Sequence, residues 1–255
     1  MAQSKELNGM VSRCLPVASG SEGYISLGAP DEVLRCGLAL SELHELVPSG
    51  ILHHGAALGF GLALAACAPL KGGTIVFVQQ DFAGLEAGAL YGGACDLFGL
   101  DPARLLLVRA ASPRDALWAM EEALKTRGVT AMIGELAQQG TDADLTATRR
   151  LSLAAQKGRG LALLLRQRAW LAPSAAATRW QIAAAPGPPD RFGGLGATAF
   201  CVTLTKNRRG PCGDWVLQWD HHGACFVPAL SRAVAQSVFD RPGNAAVAWV
   251  STGIG

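Results

Sequence analysis

Residues 37–68 read GLALSELHELVPSGILHHGAALGFGLALAACA: an apolar run, a turn, then an uncharged, alanine-rich stretch. Leu38–Leu46 is short and bounded by turn residues, which reads as a buried parallel strand. The uncharged stretch Ile51–Leu70 approaches the length of a membrane span. It holds His53 and His54 and is interrupted by Gly55, Gly59, Gly61 and Pro69, so a buried core helix is the reading that fits. Strand, turn and helix in that order invite comparison with a phosphate-binding loop. Such a loop uses glycines to bring backbone N–H groups to phosphates, a lysine to reach the outer phosphates, and a hydroxyl to hold magnesium. Here Gly50 and Gly55 occupy the glycine positions, but Ala56 and Ala57 follow, and the nearest lysine is Lys71. Ordinary ATP hydrolysis, and a bound nucleotide with it, is not expected.

Outward from this segment, apolar runs alternate with helical patterns. Strands are predicted at Thr74–Gln79, Arg104–Arg109, Val129–Ile133 and Leu161–Arg166. Ser112-Pro113 is a helix start, with serine as N-cap and proline in the first turn. The helix that follows places Ala116, Met120 and Leu124 on one stripe. Another helix opens near Thr146 and stops at Gly158, with Leu151, Leu153 and Ala154 facing inward. Alternating strands and helices predict an α/β fold with a mostly parallel sheet covered on both faces. The tail changes character: Phe200–Lys206 and Asp214–Asp220 read as two strands joined by NRRGPCG, a C-terminal β-hairpin. We expect a leader over residues 1–37, one domain over 38–232 and a tail over 233–255.

The chain has 255 residues, 50% of them hydrophobic and 16% charged, enough for one large core. Net charge is only +2, yet it is unevenly spread. Residues 1–145 carry 9 Lys/Arg against 16 Asp/Glu, and residues 146–255 carry 13 against 4. A basic half points to nucleic acid or an acidic protein face. Its candidate contacts are Arg149, Arg150, Lys157, Arg159, Arg166, Arg168, Arg179, Trp180, Lys206, Arg208 and Arg209. Arginine beside an aromatic ring suits a single-stranded backbone; Trp180, Trp215 and Trp219 equally suit core or hairpin packing. Seven widely spaced cysteines with no CxxC argue against a disulfide framework or zinc site and for small buried thiols in a reducing compartment. No metal is expected. The N-terminus shows no apolar leader, so a cytoplasmic protein is expected.

Glu135, after Val129–Ile133, stands where a magnesium-facing carboxylate or general base would sit. It could instead pair with an arginine or cap the next segment. The histidine pairs His53-His54 and His221-His222 are adjacent in sequence, so their side chains do not converge on one metal. No hydrolase or metalloprotease pattern is present, and no catalytic residue is assigned.

Several stretches together resemble the ImuA family of RecA-like accessory proteins of bacterial mutagenic repair. They are GLALSELHEL (37–46), DPARLLLVRA (101–110), DALWAMEEALKT (115–126), DLTATRRLSLAAQKGRGLALLLR (144–166) and PSAAATRWQIAAAP (173–186). With the hairpin they span residues 37–222. The resemblance implies a RecA-like core and a distant relation to the cell-division inhibitor SulA. It implies work in translesion synthesis during the SOS response, beside an ImuB-like Y-family protein and an error-prone DnaE-type polymerase. RecA and single-stranded DNA are further partners it suggests, and self-association is compatible with the charge asymmetry. It also implies that residues 185–198 and the basic hairpin share a DNA-facing side. The departures at Ala56 and Ala57 favour a scaffold over a motor.

Overall fold

The computed structural model describes residues 23–69, 73–137, 145–167, 173–189 and 196–229, together with Phe192 and Gly194. Its centre is a nine-stranded sheet. In chain order the strands are β3 (Leu43–Pro48), β4 (Thr74–Gln80), β5 (Leu105–Ala110), β6 (Val129–Leu136) and β7 (Leu161–Arg166). They continue as β8 (Thr178–Ala185), β9 (Ala199–Asn207), β10 (Gly213–Asp220) and β11 (Cys225–Pro228). The spatial order is β11-β10-β9-β8-β3-β7-β6-β4-β5. The six strands from β8 to β5 are parallel, and β9, β10 and β11 add on antiparallel. The α/β class with a mostly parallel sheet is therefore the observed one. The predicted hairpin is β9–β10, and it belongs to a longer antiparallel extension.

Two predicted boundaries move. The run Leu38–Leu46 is two strands: β2 (Leu38–Ala39) pairs with β1 (Tyr24–Ile25) in a separate small sheet, and β3 begins at Leu43. Ser41 between them has φ 63, a left-handed backbone that no continuous strand can contain. Leu153 is half-exposed rather than inward. Part of the predicted leader also joins the body: Ile25, Leu27 and Leu34 are buried, the last in the short helix α1 (Asp31–Leu34).

Helices cover both faces. On one lies α2 (His54–Cys67), the 14-residue helix of the uncharged stretch, with α4 (Gly92–Leu97) beside it. On the other lie α5 (Pro113–Lys125) and α6 (Leu145–Gly158). α3 (Asp81–Ala87) follows β4. Among the described residues no helix is long and apolar enough to cross a membrane. α2 is instead core: eight of its residues are buried. Its mid-helix glycines allow close approach, since a Cβ on Gly61 would lie 3.0 Å from Leu46 and one on Gly59 3.2 Å from Phe98. An alanine would be the better helix former, so packing has overridden propensity here. Under α2 an aromatic cluster joins Phe60, Trp180, Phe200, Phe226, Trp215 and Trp219, which holds the antiparallel extension to the parallel sheet.

Candidate functional site

Parallel sheets bind ligands beyond the carboxyl ends of their strands. At that end β3 runs into the turn Ile51–His53, closed by the His53 amide donating to the Gly50 carbonyl (2.9 Å). Gly50 and Gly55 keep the phosphate-loop spacing, but the contents differ. Ala57 is buried, and Ile51 and Leu52 turn 73% and 92% of their surface to solvent. The loop is fastened to β8 at two points. The Ser49 amide donates to the Ile182 carbonyl (2.8 Å), and the Ala184 amide donates to His53 Nδ1 (3.2 Å).

Glu135, at the end of β6, is completely buried. His54 Nε2, from the first turn of α2, lies 2.8 Å from its Oε1. Gln79 Nε2 donates to its other oxygen at 2.8 Å and to the Gly88 carbonyl at 2.9 Å. Glu135 is thus hydrogen-bonded by an amide and lies beside a histidine rather than an arginine. Neighbouring glutamines tie the other strand ends: Gln80 Oε1 accepts from the Ala137 amide (3.1 Å), and Gln167 Nε2 donates to the Ala83 carbonyl (3.0 Å). Alanines stand at positions 56 and 57, where a phosphate loop carries its lysine and hydroxyl, and Gln79 holds Glu135 with His54 beside it. Among the described residues no group of His, Cys, Asp or Glu side chains is placed to hold a metal.

Beside the loop, α2, α4 and the β8–β9 ends border a cavity of about 720 Å³ whose described lining is uncharged, with Gly55, Leu62, Tyr91, Phe98, Ala184 and Phe200 among it.

The basic candidates divide into two kinds. Arg166 and Arg179 turn inward onto Glu45 of β3. Arg166 donates to Oε1 at 2.8 and 3.0 Å, Arg179 to Oε2 at 2.8 Å, and Ser174 Oγ also reaches Oε2 at 2.8 Å. Burial by itself pushes the Glu45 carboxyl up, but the two guanidiniums outweigh it and hold it below the usual carboxylate range. Lys206 donates to the Ser174 carbonyl (2.7 Å), and burial followed by Arg208 lowers its pKa. Arg209 is spent on Glu42 (2.6 Å) and the Tyr24 hydroxyl (3.2 Å), with its guanidinium over the Tyr24 ring. Trp180 is fully buried, and its indole N–H donates to Thr178 Oγ1 at 2.9 Å.

Of these candidates, the exposed ones among the described residues are Arg149, Arg150, Lys157, Arg159 and Arg208. They do not form one patch. Arg149 and Arg150 stand near the start of α6, where Arg150 bonds Glu121 at 2.5 Å. Lys157 and Arg159 stand at its far end, roughly 12 Å along the axis. There Gly160 accepts from the Ser41 amide (3.0 Å), and the Arg208 amide reaches Ala177 (3.0 Å), which in turn donates to Leu43 (2.8 Å). Lys157, Arg159 and Arg208 thus flank the amino end of β3. Arg168 and Lys71 lie outside the described residues.

The hairpin turn and the strand ends Ala185 and Ala199, which bound the predicted DNA-facing stretch 185–198, are not close together. Thr178 pairs with Asn207, while Ala185 pairs with Ala199, at opposite ends of the β8–β9 ladder. Eight residues of strand separate them by roughly 23 Å.

Among the described residues Cys95 is buried but Cys36, Cys201 and Cys212 are exposed, so small buried thiols describe only part of the set. Sequence reasoning missed Glu45, His54 and Gln79. The signal for Glu45 was a carboxylate inside a short strand that is apolar apart from it and His44.

No protein-family model matches the chain. Protein ImuA of Caulobacter vibrioides (strain NA1000 / CB15N) is 35% identical over 214 residues, covering 78% of this chain and 83% of the relative. Protein ImuA of strain ATCC 19089 / CIP 103742 / CB 15 matches to the same extent. At that identity and coverage, the chain belongs to the ImuA family.

Proposed function

We propose that this chain is a non-catalytic accessory protein of error-prone translesion synthesis in the SOS response. It works with an ImuB-like Y-family protein and an error-prone DnaE-type polymerase, which it holds together at damaged DNA. The observation that carries the non-catalytic part is the filled phosphate-loop position: alanines at 56 and 57, and Glu135 engaged by His54 and Gln79. Family membership supports the mutagenic role. Single-stranded DNA is the polyanion that the exposed set Lys157, Arg159 and Arg208 suits, since none of these side chains enters an ion pair among the described residues.

Deleting the gene should remove damage-induced mutation while leaving undamaged growth unchanged. An unchanged induced mutation frequency defeats the role. The purified chain, with and without single-stranded DNA, should release no phosphate from ATP above a blank. Turnover that disappears in Glu135→Gln would overturn the non-catalytic reading and leave a DNA-dependent ATPase in its place.

A further inference from the structure

The outer surface of α5 and α6 carries a groove unconnected with the loop described above. Its volume is about 480 Å³, and its walls include Arg114, Trp118 and Leu117 from α5 and Arg150 and Leu151 from α6. Trp118 turns 61% of its surface to solvent, although its helix has a complete buried stripe in Ala116, Met120 and Leu124. Leu153, one turn on from Arg150, is 50% exposed. An uncovered indole with arginines on either side is the composition that dominates protein-binding energetics.

Charge selects the occupant. Asp115 is taken up by the helix cap, receiving the Ser112 hydroxyl at 2.7 Å. Glu121 is bound by Lys125 (2.8 Å) and Arg150 (2.5 Å). Arg114 is exposed and enters no ion pair among the described residues. Among the described residues the groove therefore offers one cation outside any ion pair, Arg114, beside the apolar Leu117 and Leu151. One such cation can pair one negative charge, far fewer than the run of phosphates a nucleic-acid backbone presents. A peptide can instead place a single carboxylate at Arg114 and a hydrophobic side chain on Trp118.

We infer that the α5–α6 groove is a docking site for a short acidic helix of a partner protein, one that presents a leucine or aromatic residue to Trp118 and a carboxylate to Arg114. Such a helix lies in the groove with its apolar face down, the usual mode for amphipathic segments. This goes beyond the accessory role and does not rest on it.

A library of random linear peptides displayed on phage, panned against the immobilised full chain, should enrich sequences with an apolar anchor and an acidic residue within one helical turn. Labelled synthetic versions should bind by fluorescence anisotropy. Trp118→Ala and Arg114→Glu should each weaken binding by about tenfold or more, the loss expected of an interface anchor. Both side chains are exposed, so melting temperature should not move. No enrichment, or enriched peptides that ignore both variants, overturns the proposal. So does a finding that the two variants instead lose affinity for oligo(dT), which would make this a nucleic-acid face.

Discussion

His44 and Glu45 are adjacent in β3 and point to opposite faces of the sheet, and both are buried. His44 is neutral inside a chain of hydrogen bonds. Its Nε2 donates to the Ala39 carbonyl (2.7 Å), and its Nδ1 accepts from Thr178 (2.8 Å), which accepts from Trp180 (2.9 Å). Burial pushes its pKa from 6.5 down to about 4, against the upward pull of the Ala39 carbonyl and Glu42. A depressed histidine binds fewer protons folded than unfolded, so stability is lost as pH falls below the unfolded value. From this residue the loss between pH 7 and pH 5 should be about 2 kcal/mol. Glu45 acts lower on the scale. Its folded pKa is also depressed, so its contribution is present above the unfolded carboxylate value and is lost as pH falls through the lowered one. Urea titrations across that range should show a decline beginning near pH 6.5 and steepening again below the usual carboxylate range. His44→Gln should abolish the first decline while lowering stability throughout. A wild-type stability that is flat from pH 7 to pH 5 would refute the assignment.

At the scale of elements, α5 shows how local chemistry sets a boundary. The Asp115 amide donates to Ser112 Oγ at 3.1 Å, Pro113 occupies the first turn, and Lys125 stands in the last. Ser112→Ala should cost about 1 kcal/mol in a denaturation series, with no change in the buried stripe. An effect near zero would mean that packing alone fixes the start. This helix was legible because its cap and its period agree. The central parallel strands were legible for a similar reason: burial on both faces leaves continuous apolar runs. β8 was not. Its segment TRWQIAAA alternates Thr178, Trp180 and Ile182 inward with Arg179 and Gln181 on the other side, and the arginine and tryptophan read more readily as a binding pair. β11 has only four residues, too few to show a period. The candidate site was half legible. The missing lysine and hydroxyl are read directly from residues 50–57, but the engagement of Glu135 by His54 needs an 81-residue separation to be closed by the fold. Similarly, Arg166 and Arg179 look like surface cations until Glu45, more than a hundred residues earlier, is placed between them.

Across the described residues, the cations of the basic half are spread over several places: some on Glu45 and Glu42, some at the start of α6 and others at the amino end of β3. If the accessory role includes holding single-stranded DNA, the sorting decides which charges matter. Lys157, Arg159 and Arg208 are exposed and in no ion pair among the described residues, whereas Arg150 is drawn to Glu121. Arg159→Glu with Arg208→Glu should therefore weaken oligo(dT) binding more than Arg149→Glu with Arg150→Glu. Each lost phosphate contact on a single strand lowers the slope of log K against log salt by roughly 0.7, so the first pair should flatten it by about 1.4. Folding should be unaffected, because neither side chain makes an ion pair among the described residues. Equal losses from both pairs would mean the strand wraps around α6 from end to end. Loss from the α6-start pair alone would place DNA at the carboxyl end of the sheet and reverse the assignment.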